Sequence, residues 1–272
     1  MFDYHVHTTF SADSEMKMEE ACQKALERGL KEIAFTDHID CFYPECDLRW
    51  EFDYTQYAQS IERMRQQFGP KLQVLKGIEV GLHPLAFEPS REFTSQNEFD
   101  FIIGSVHIVG SQDMHTGDYF VDKSREDAIT TYFQTVNTCV KNYQDFNVLG
   151  HLDLIKRYLF HIKCTVNEVN WQQYDECILD TLRHLAETGR GIEINMSGYN
   201  SGLNCSLPDL RILQLYREVG GEIITIGSDS HTVERIGDRV ALGLDMLESA
   251  GFKYITTFRN RKPQFIPLAE AR

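Results

Sequence analysis

The sequence predicts an α/β fold with parallel strands, on two observations. Short apolar runs alternate with amphipathic helical segments along the 272 residues, as when strands are joined by crossover helices. Seven of those runs end on a histidine, a carboxylate or another polar residue. In a parallel barrel all strand C-termini open on one face, where active sites are built.

The first run, FDYHVH at 2–7, holds two histidines two residues apart. On a strand such residues share a face, so His5 and His7 can grip one ion. That pair alone leaves an incidental strand equally open. A helical pattern over 15–28 places Met18, Ala21, Cys22, Ala25 and Leu26 on one face, and Gly29 suits the helix end. The second strand is EIAFTDH at 32–38, followed by a long irregular stretch, CFYPECDLRWEFD. A helix over 54–68 stops at Gly69-Pro70, and QVLKGIEV forms the third strand, ending near Glu79. Residues 83–98 suit a loop or short helix, and FDFIIGSVH is the fourth strand, ending at His107. A helix at 125–143 leads to the fifth strand, NVLGHLD at 147–153. A helix at 171–188 precedes GIEIN at 191–195, the sixth strand. The helix at 207–219 carries Pro208 in its first turn, and EIITIGSDSH ends the series at His231. The basic tail after Phe252 is expected to pack as a final helix or loop.

Composition narrows the function. Hydrophobic residues make up 42% and charged residues 25%, enough for a sizeable core. The net charge of −14 argues against a nucleic-acid partner, since such surfaces carry basic patches. Seven scattered cysteines without a C-x-x-C pair favour reduced thiols; Cys41 and Cys46 are close enough to raise a pair, but two free thiols are expected. No apolar run reaches membrane-spanning length and no signal-like segment opens the chain, so a soluble cytoplasmic protein without a membrane partner is expected. Oligomeric state is left open.

The strand ends collect His5 and His7, Asp37 and His38, Glu79, His107, His151 and Asp153, Glu193 and Asn195, and Asp229 and His231. Imidazole and carboxylate ligands without cysteine suit Zn, Mn or Fe. There are too many for one ion, so two or three neighbouring ions are implied, with one carboxylate bridging. Such clusters stabilise both attacking and leaving oxygens in phosphoryl transfer.

The motifs H-V-H-T at 5–8, T-D-H at 36–38, G-I-E at 77–79, S-V-H at 105–107, G-H-L-D at 150–153, E-I-N at 193–195 and G-S-D-S-H at 227–231 resemble, in order, those of the PHP family, the polymerase and histidinol phosphatase group. The resemblance implies one domain over residues 1–272, folded as a distorted (β/α)7 TIM-like barrel with three divalent metal ions. It implies that His5, His7, Glu79 and Asp229 bind the first metal. Glu79 would bridge to a second held by His107 and His151, and Asp13, His38 and His231 would hold the third. Many relatives have histidine at the position of Asp13. The length without a polymerase module resembles the monofunctional branch. This implies hydrolysis of L-histidinol phosphate to L-histidinol and phosphate, a step of histidine biosynthesis. The alternative is a PHP phosphoesterase acting on another phosphomonoester, a nucleotide or a phosphodiester.

Further roles follow as expectations. Arg157 binds phosphate through its planar fork, or is a solvated loop arginine. Asp153 orients a neighbour or protonates the leaving alkoxide. Asp37 is a partner that orients a histidine, and Glu193 is either that or a buried structural carboxylate. Asn195, His83 and Asn200 are candidate substrate contacts. Asn200 stands where relatives often carry arginine, so a substrate contact is lost there or supplied by Arg235 or Arg239. The stretch FYPECDLRWEF is a candidate lid.

Overall fold

The alternation of apolar and amphipathic runs becomes a nearly closed parallel barrel. The structure is a computed structural model and describes residues 1–44 and 52–272. In chain order its first elements are β1 (Phe2–Val6), α1 (Met18–Glu27), β2 (Glu32–Phe35), β3 (His38–Ile39), α2 (Tyr54–Phe68), β4 (Gln73–Gly81) and α3 (Phe87–Gln96). Next come β5 (Phe101–Ser105), β6 (Ile108–Val109), β7 (Gln112–Asp113), α4 (Arg125–Asn142), β8 (Val148–Leu149) and α5 (Asp175–Glu187). The chain finishes with β9 (Gly191–Asn195), α6 (Leu210–Glu218), β10 (Ile224–Gly227), α7 (Val240–Ser249), β11 (Tyr254–Arg259), β12 (Lys262–Pro267) and α8 (Leu268–Ala271).

The barrel strands run β1-β2-β4-β5-β8-β9-β10, every pair parallel. β3 continues the line of β2 after Thr36 and Asp37 and pairs with the far end of β4, His38 opposite Glu79. β10 returns to β1 through His7 N–H to Ser230 C=O, 2.9 Å, and Ser230 N–H to His5 C=O, 3.3 Å. β1, β5 and β9 are buried along their whole length. Strands covered on both faces need such runs of apolar residues. The helices lie outside; Asp53, Ser124 and Asp209 cap α2, α4 and α6 with side-chain oxygens.

Several boundaries differ from the sequence expectation. α1 starts at Met18, because the preceding residues close a loop through Thr9 N–H to Met16 C=O. The stretch 83–98 contains the helix α3. The segment at 171–188 begins as a 3-10 turn before α5. Asp209 caps α6, which leaves Pro208 outside its first turn. The tail is mostly neither helix nor loop: β11 and β12 pair as an antiparallel hairpin, followed by the short final helix α8.

That hairpin packs at the end of the barrel where the strands begin. Phe258 N–H donates to Tyr4 Oη (3.0 Å), which donates to Glu32 Oε2 (2.7 Å). Arg259 pairs with Glu32 at 2.6 Å, and the Phe258 ring lies 5.0 Å from that of Phe101. No helix among the described residues is long and apolar enough to cross a membrane.

Phe258 is 1% exposed, whereas Phe265 on the same hairpin is 45% exposed. Phe258→Ala is therefore expected to cost about 3–5 kcal/mol. Phe265→Ala should stay within about 0.5 kcal/mol. Urea unfolding of the two variants checks the difference.

Candidate active site

The strand ends converge on Glu79, fully buried near the end of β4. Its Oε2 lies 3.1 Å from His5 Nε2, 3.5 Å from His7 Nε2 and 3.0 Å from His38 Nδ1. Its Oε1 lies 3.0 Å from His151 Nε2 and 3.4 Å from His107 Nε2. One carboxylate thus faces two groups of imidazoles with its two oxygens. Asp229 Oδ1 lies 3.4 Å from His7 Nε2 and 3.7 Å from both His5 Nε2 and His231 Nδ1. Nearer the mouth, Asp13 Oδ2 is 3.1 Å from His231 Nε2 and 3.6 Å from His38 Nε2.

Burial opposes the charge on Glu79, yet His5, His38 and His107 hold its carboxyl well below the usual range. Burial, with the rings of His231 and His38, pushes His7 down to about 3. His7 is therefore neutral, the form in which imidazole binds metal.

The outer ring nitrogens are tied down. His5 Nδ1 lies 2.6 Å from Glu193 Oε1, His107 Nδ1 3.1 Å from Asp40 Oδ1, and His231 Nδ1 3.1 Å from the Asp229 carbonyl. His7 Nδ1 lies 3.1 Å from Ser11 Oγ, which donates its own proton to Asp37 Oδ1 at 2.8 Å. These acceptors place the proton on Nδ1 and aim each Nε2 lone pair inward. Glu193 fits beside His5 because Gly227 has no side chain; a Cβ there would overlap both. Asp229 and His151 have φ of 54° and 21°, a region L residues seldom adopt and one that concentrates at functional sites.

These residues fit divalent metal. Among the described residues, His5 Nε2, His7 Nε2 and Glu79 Oε2 are buried without a hydrogen-bond partner, which is costly unless something binds between them. Three sets bring one ligand atom per residue within 4.8 Å: His7, His38 and His231; His5, His7 and Asp229; His38, Glu79 and His107. Nitrogen and oxygen donors without thiolate suit Zn, Mn or Fe.

A cavity of about 390 Å³ opens above this floor, walled by Ala12, Tyr43, Asp113, His115, Leu154, Arg157 and Tyr158. Arg157 Nη2 bonds Ser197 Oγ and lies 3.3 Å from Asp229 Oδ2, while its buried Nε has no partner among the described residues. The 3-10 segment carrying Arg157 is pinned by Lys156, whose fully buried ammonium lies 2.6 Å from both Asp153 Oδ2 and Asp209 Oδ2.

The PHP domain matches residues 3–197. The chain belongs to the PHP family. The histidinol-phosphatase of Lactococcus lactis subsp. lactis is 30% identical over 261 residues, 96% of this chain and 95% of the relative. A probable histidinol-phosphatase of Clostridium acetobutylicum is 30% identical over 255 residues, 93% of this chain and 95% of the relative. The crystal structure of the L. lactis histidinol phosphate phosphatase, complexed with zinc, L-histidinol and phosphate, is similar with a TM-score of 0.88 at 29% identity, covering 97% of this chain and 98% of that one.

Within this PHP barrel the nine expected metal ligands gather at one end, but the other expected residues divide. Arg157 lines the cavity. Asp153, expected to orient a neighbour or to donate a proton, is fully buried, does not line the cavity and is paired with Lys156. Asn195 is not a wall residue either: its Nδ2 lies 3.2 Å from Glu193 Oε2 and from Asp229 Oδ2, so it braces those two. His83 is turned away, stacked on Phe42 at 4.1 Å and bonded to the Gly110 carbonyl. Asn200 is exposed and accepts from Arg235, 2.6 Å. Asp37 reaches His7 through Ser11. Most of the expected lid, with Cys46, lies outside the described residues, although Tyr43 beside it lines the mouth.

Asp40, Asp113 and Tyr158 also line the cavity and had no expected role. Asp40 was legible as the third residue of His38-Ile39-Asp40, spaced to share a face with His38. Asp113 lies on a strand of two residues, too short to carry a periodic signal, and Tyr158 on a 3-10 segment that the sequence reading did not place.

In metal-free protein His231 is raised to about 9: burial opposes its charge, but Asp13 and Asp229 outweigh it. A folded pKa above the unfolded value of about 6.5 gives stability that is complete below that pH. It is lost as pH rises through 9. The Tm of EDTA-treated protein should therefore fall between those pH values, and His231→Gln should flatten that profile. Circular dichroism melts across pH check both.

Proposed function

We propose that this chain is a metal-dependent phosphomonoesterase that hydrolyses L-histidinol phosphate to L-histidinol and phosphate. The observation that carries this reading is the match, over nearly all of both chains, to a phosphatase crystallised with zinc and both products. The cavity chemistry supports it.

Three divalent ions, zinc, manganese or iron, are assigned to the cluster. His5, His7, Glu79 and Asp229 would hold the first, and Glu79, His107 and His151 the second. Asp13, His38 and His231 would hold the third. When bound, such ions would supply water activation, lowering its pKa towards about 7, and charge neutralisation at the phosphoryl oxygens. Arg157 binds the phosphate edge and counters the charge that grows in the transition state. Its unpartnered Nε and its bonds to Ser197 and Asp229 leave it charged, oriented and able to donate. Asn195 and Glu193 hold Asp229 and His5 in place. Asp153 keeps Lys156 buried, which fixes the turn bearing Arg157. Among the wall residues, Asp113 is a carboxylate whose bonds run to Tyr43 Oη (2.6 Å) and His115 N–H (2.6 Å), not to a floor histidine. An anionic rim suits a substrate with a cationic amine.

Steady-state kinetics of metal-loaded protein against a panel of phosphate esters test the assignment. Histidinol phosphate should give the highest kcat/KM. Preference for a nucleotide or another monoester would sink the substrate, and hydrolysis of none would sink the class. Arg157→Ala should lower kcat/KM by about 10²–10³-fold. Arg157→Lys should restore little of it, because an ammonium cannot supply the planar fork.

A further inference from the structure

Beyond the ligands themselves, a carboxylate and a glycine on neighbouring strands form a matched pair. β3 and β4 are parallel, with His38 opposite Glu79 and Ile39 opposite Val80. The next step places Asp40 beside Gly81. Alternation puts Asp40 on the face of His38, and Gly81 on the face of Glu79. Asp40 is 6% exposed, and its Oδ1 lies 3.1 Å from His107 Nδ1. The same oxygen occupies the space a side chain at Gly81 would need: a Cβ built there overlaps Asp40 Oδ1 and Cγ. Gly81 does not have a positive φ, so room for the carboxylate, not backbone conformation, accounts for glycine here.

We propose that Asp40 is a positioning residue that orients His107 for metal binding, and that Gly81 is the space that admits it. The inference rests on the metal reading above. The Asp40 carboxylate accepts the Nδ1 proton of His107. That fixes the tautomer, turns Nε2 toward Glu79 (3.4 Å) and makes it a stronger donor. His5 has the equivalent partner in Glu193 at 2.6 Å. His151 Nδ1, by contrast, has no partner among the described residues, so among them His107 is the more firmly oriented of the pair facing Glu79 Oε1.

The test measures zinc, not turnover. Zinc content by elemental analysis and Kd by chelator competition are compared for wild type, Asp40→Ala, Asp40→Asn, Gly81→Ala and the double variant Asp40→Ala/Gly81→Ala. Outer partners of metal-bound histidine typically contribute about 10–100-fold in affinity. Asp40→Ala should therefore weaken one ion by that factor, and Asp40→Asn, which keeps an acceptor oxygen, by less. Gly81→Ala should weaken the same ion by displacing the carboxylate. The double variant should be no weaker than the worse single one, because the added methyl then has nothing to displace. Melts of the metal-free proteins separate this from misfolding. Should Gly81→Ala not fold, the two Asp40 variants decide on the same criterion. Wild-type zinc content and Kd in Asp40→Ala, or effects of the two substitutions that multiply, would overturn the inference. A wild type that binds no zinc would instead overturn the functional reading on which it rests.

Discussion

Everything at the open end of the barrel answers to one buried charge. Glu79 is inaccessible to water, and a carboxylate in that position is costly unless cations or donors surround it. Its two oxygens meet imidazoles from the segments that follow β1, β2, β5 and β8, or from the strands themselves. No single local segment could supply that shell. Only a closed parallel sheet brings residues so far apart in sequence to one point, which ties the fold to the site.

The surrounding structure offsets the cost of this assembly. Asp229 and His151 hold left-handed backbone conformations. Lys156 sits buried between two carboxylates. Such features gain little net stability by themselves, but they hold Arg157 and the ligands in one geometry. The apolar core along β1, β5 and β9, together with the C-terminal hairpin, supplies the stability that this arrangement consumes.

The barrel and the polar residues gathered at its strand ends were legible because both rest on short-range signals. Apolar runs mark the strands, and a histidine or carboxylate marks where each one ends. The failures fall where the two-residue period breaks. In G-H-L-D the spacing puts His151 and Asp153 on one face, but β8 stops at Leu149 and His151 has a φ of 21°, so Asp153 turns into the interior. Asp40 escaped for the converse reason: the strand resumes after Thr36-Asp37 as β3, one register step beyond the expected end. The tail, expected as a helix or loop, pairs as a hairpin instead. Pro263 lies on β12, which among the described residues pairs with β11 alone, and such an edge tolerates proline.

The outer nitrogens separate the histidines more finely than their identity does. His5 and His107 lean on carboxylates, His7 on a hydroxyl, and His231 on a carbonyl. A charged acceptor raises the donor strength of the opposite nitrogen more than a neutral one. In the proposed assignment the first and second ions each gain such a histidine, and both share Glu79. The third would be held by His38, His231 and the exposed Asp13, whose carboxylate is 40% accessible to solvent. Solvent screens and competes for that ligand, while Glu79 is shielded from both. The cluster is thus graded from a sealed pair of positions on the barrel floor to a more exchangeable one at the mouth. Asp13 sits at the position where donor type has most freedom to set which ion binds.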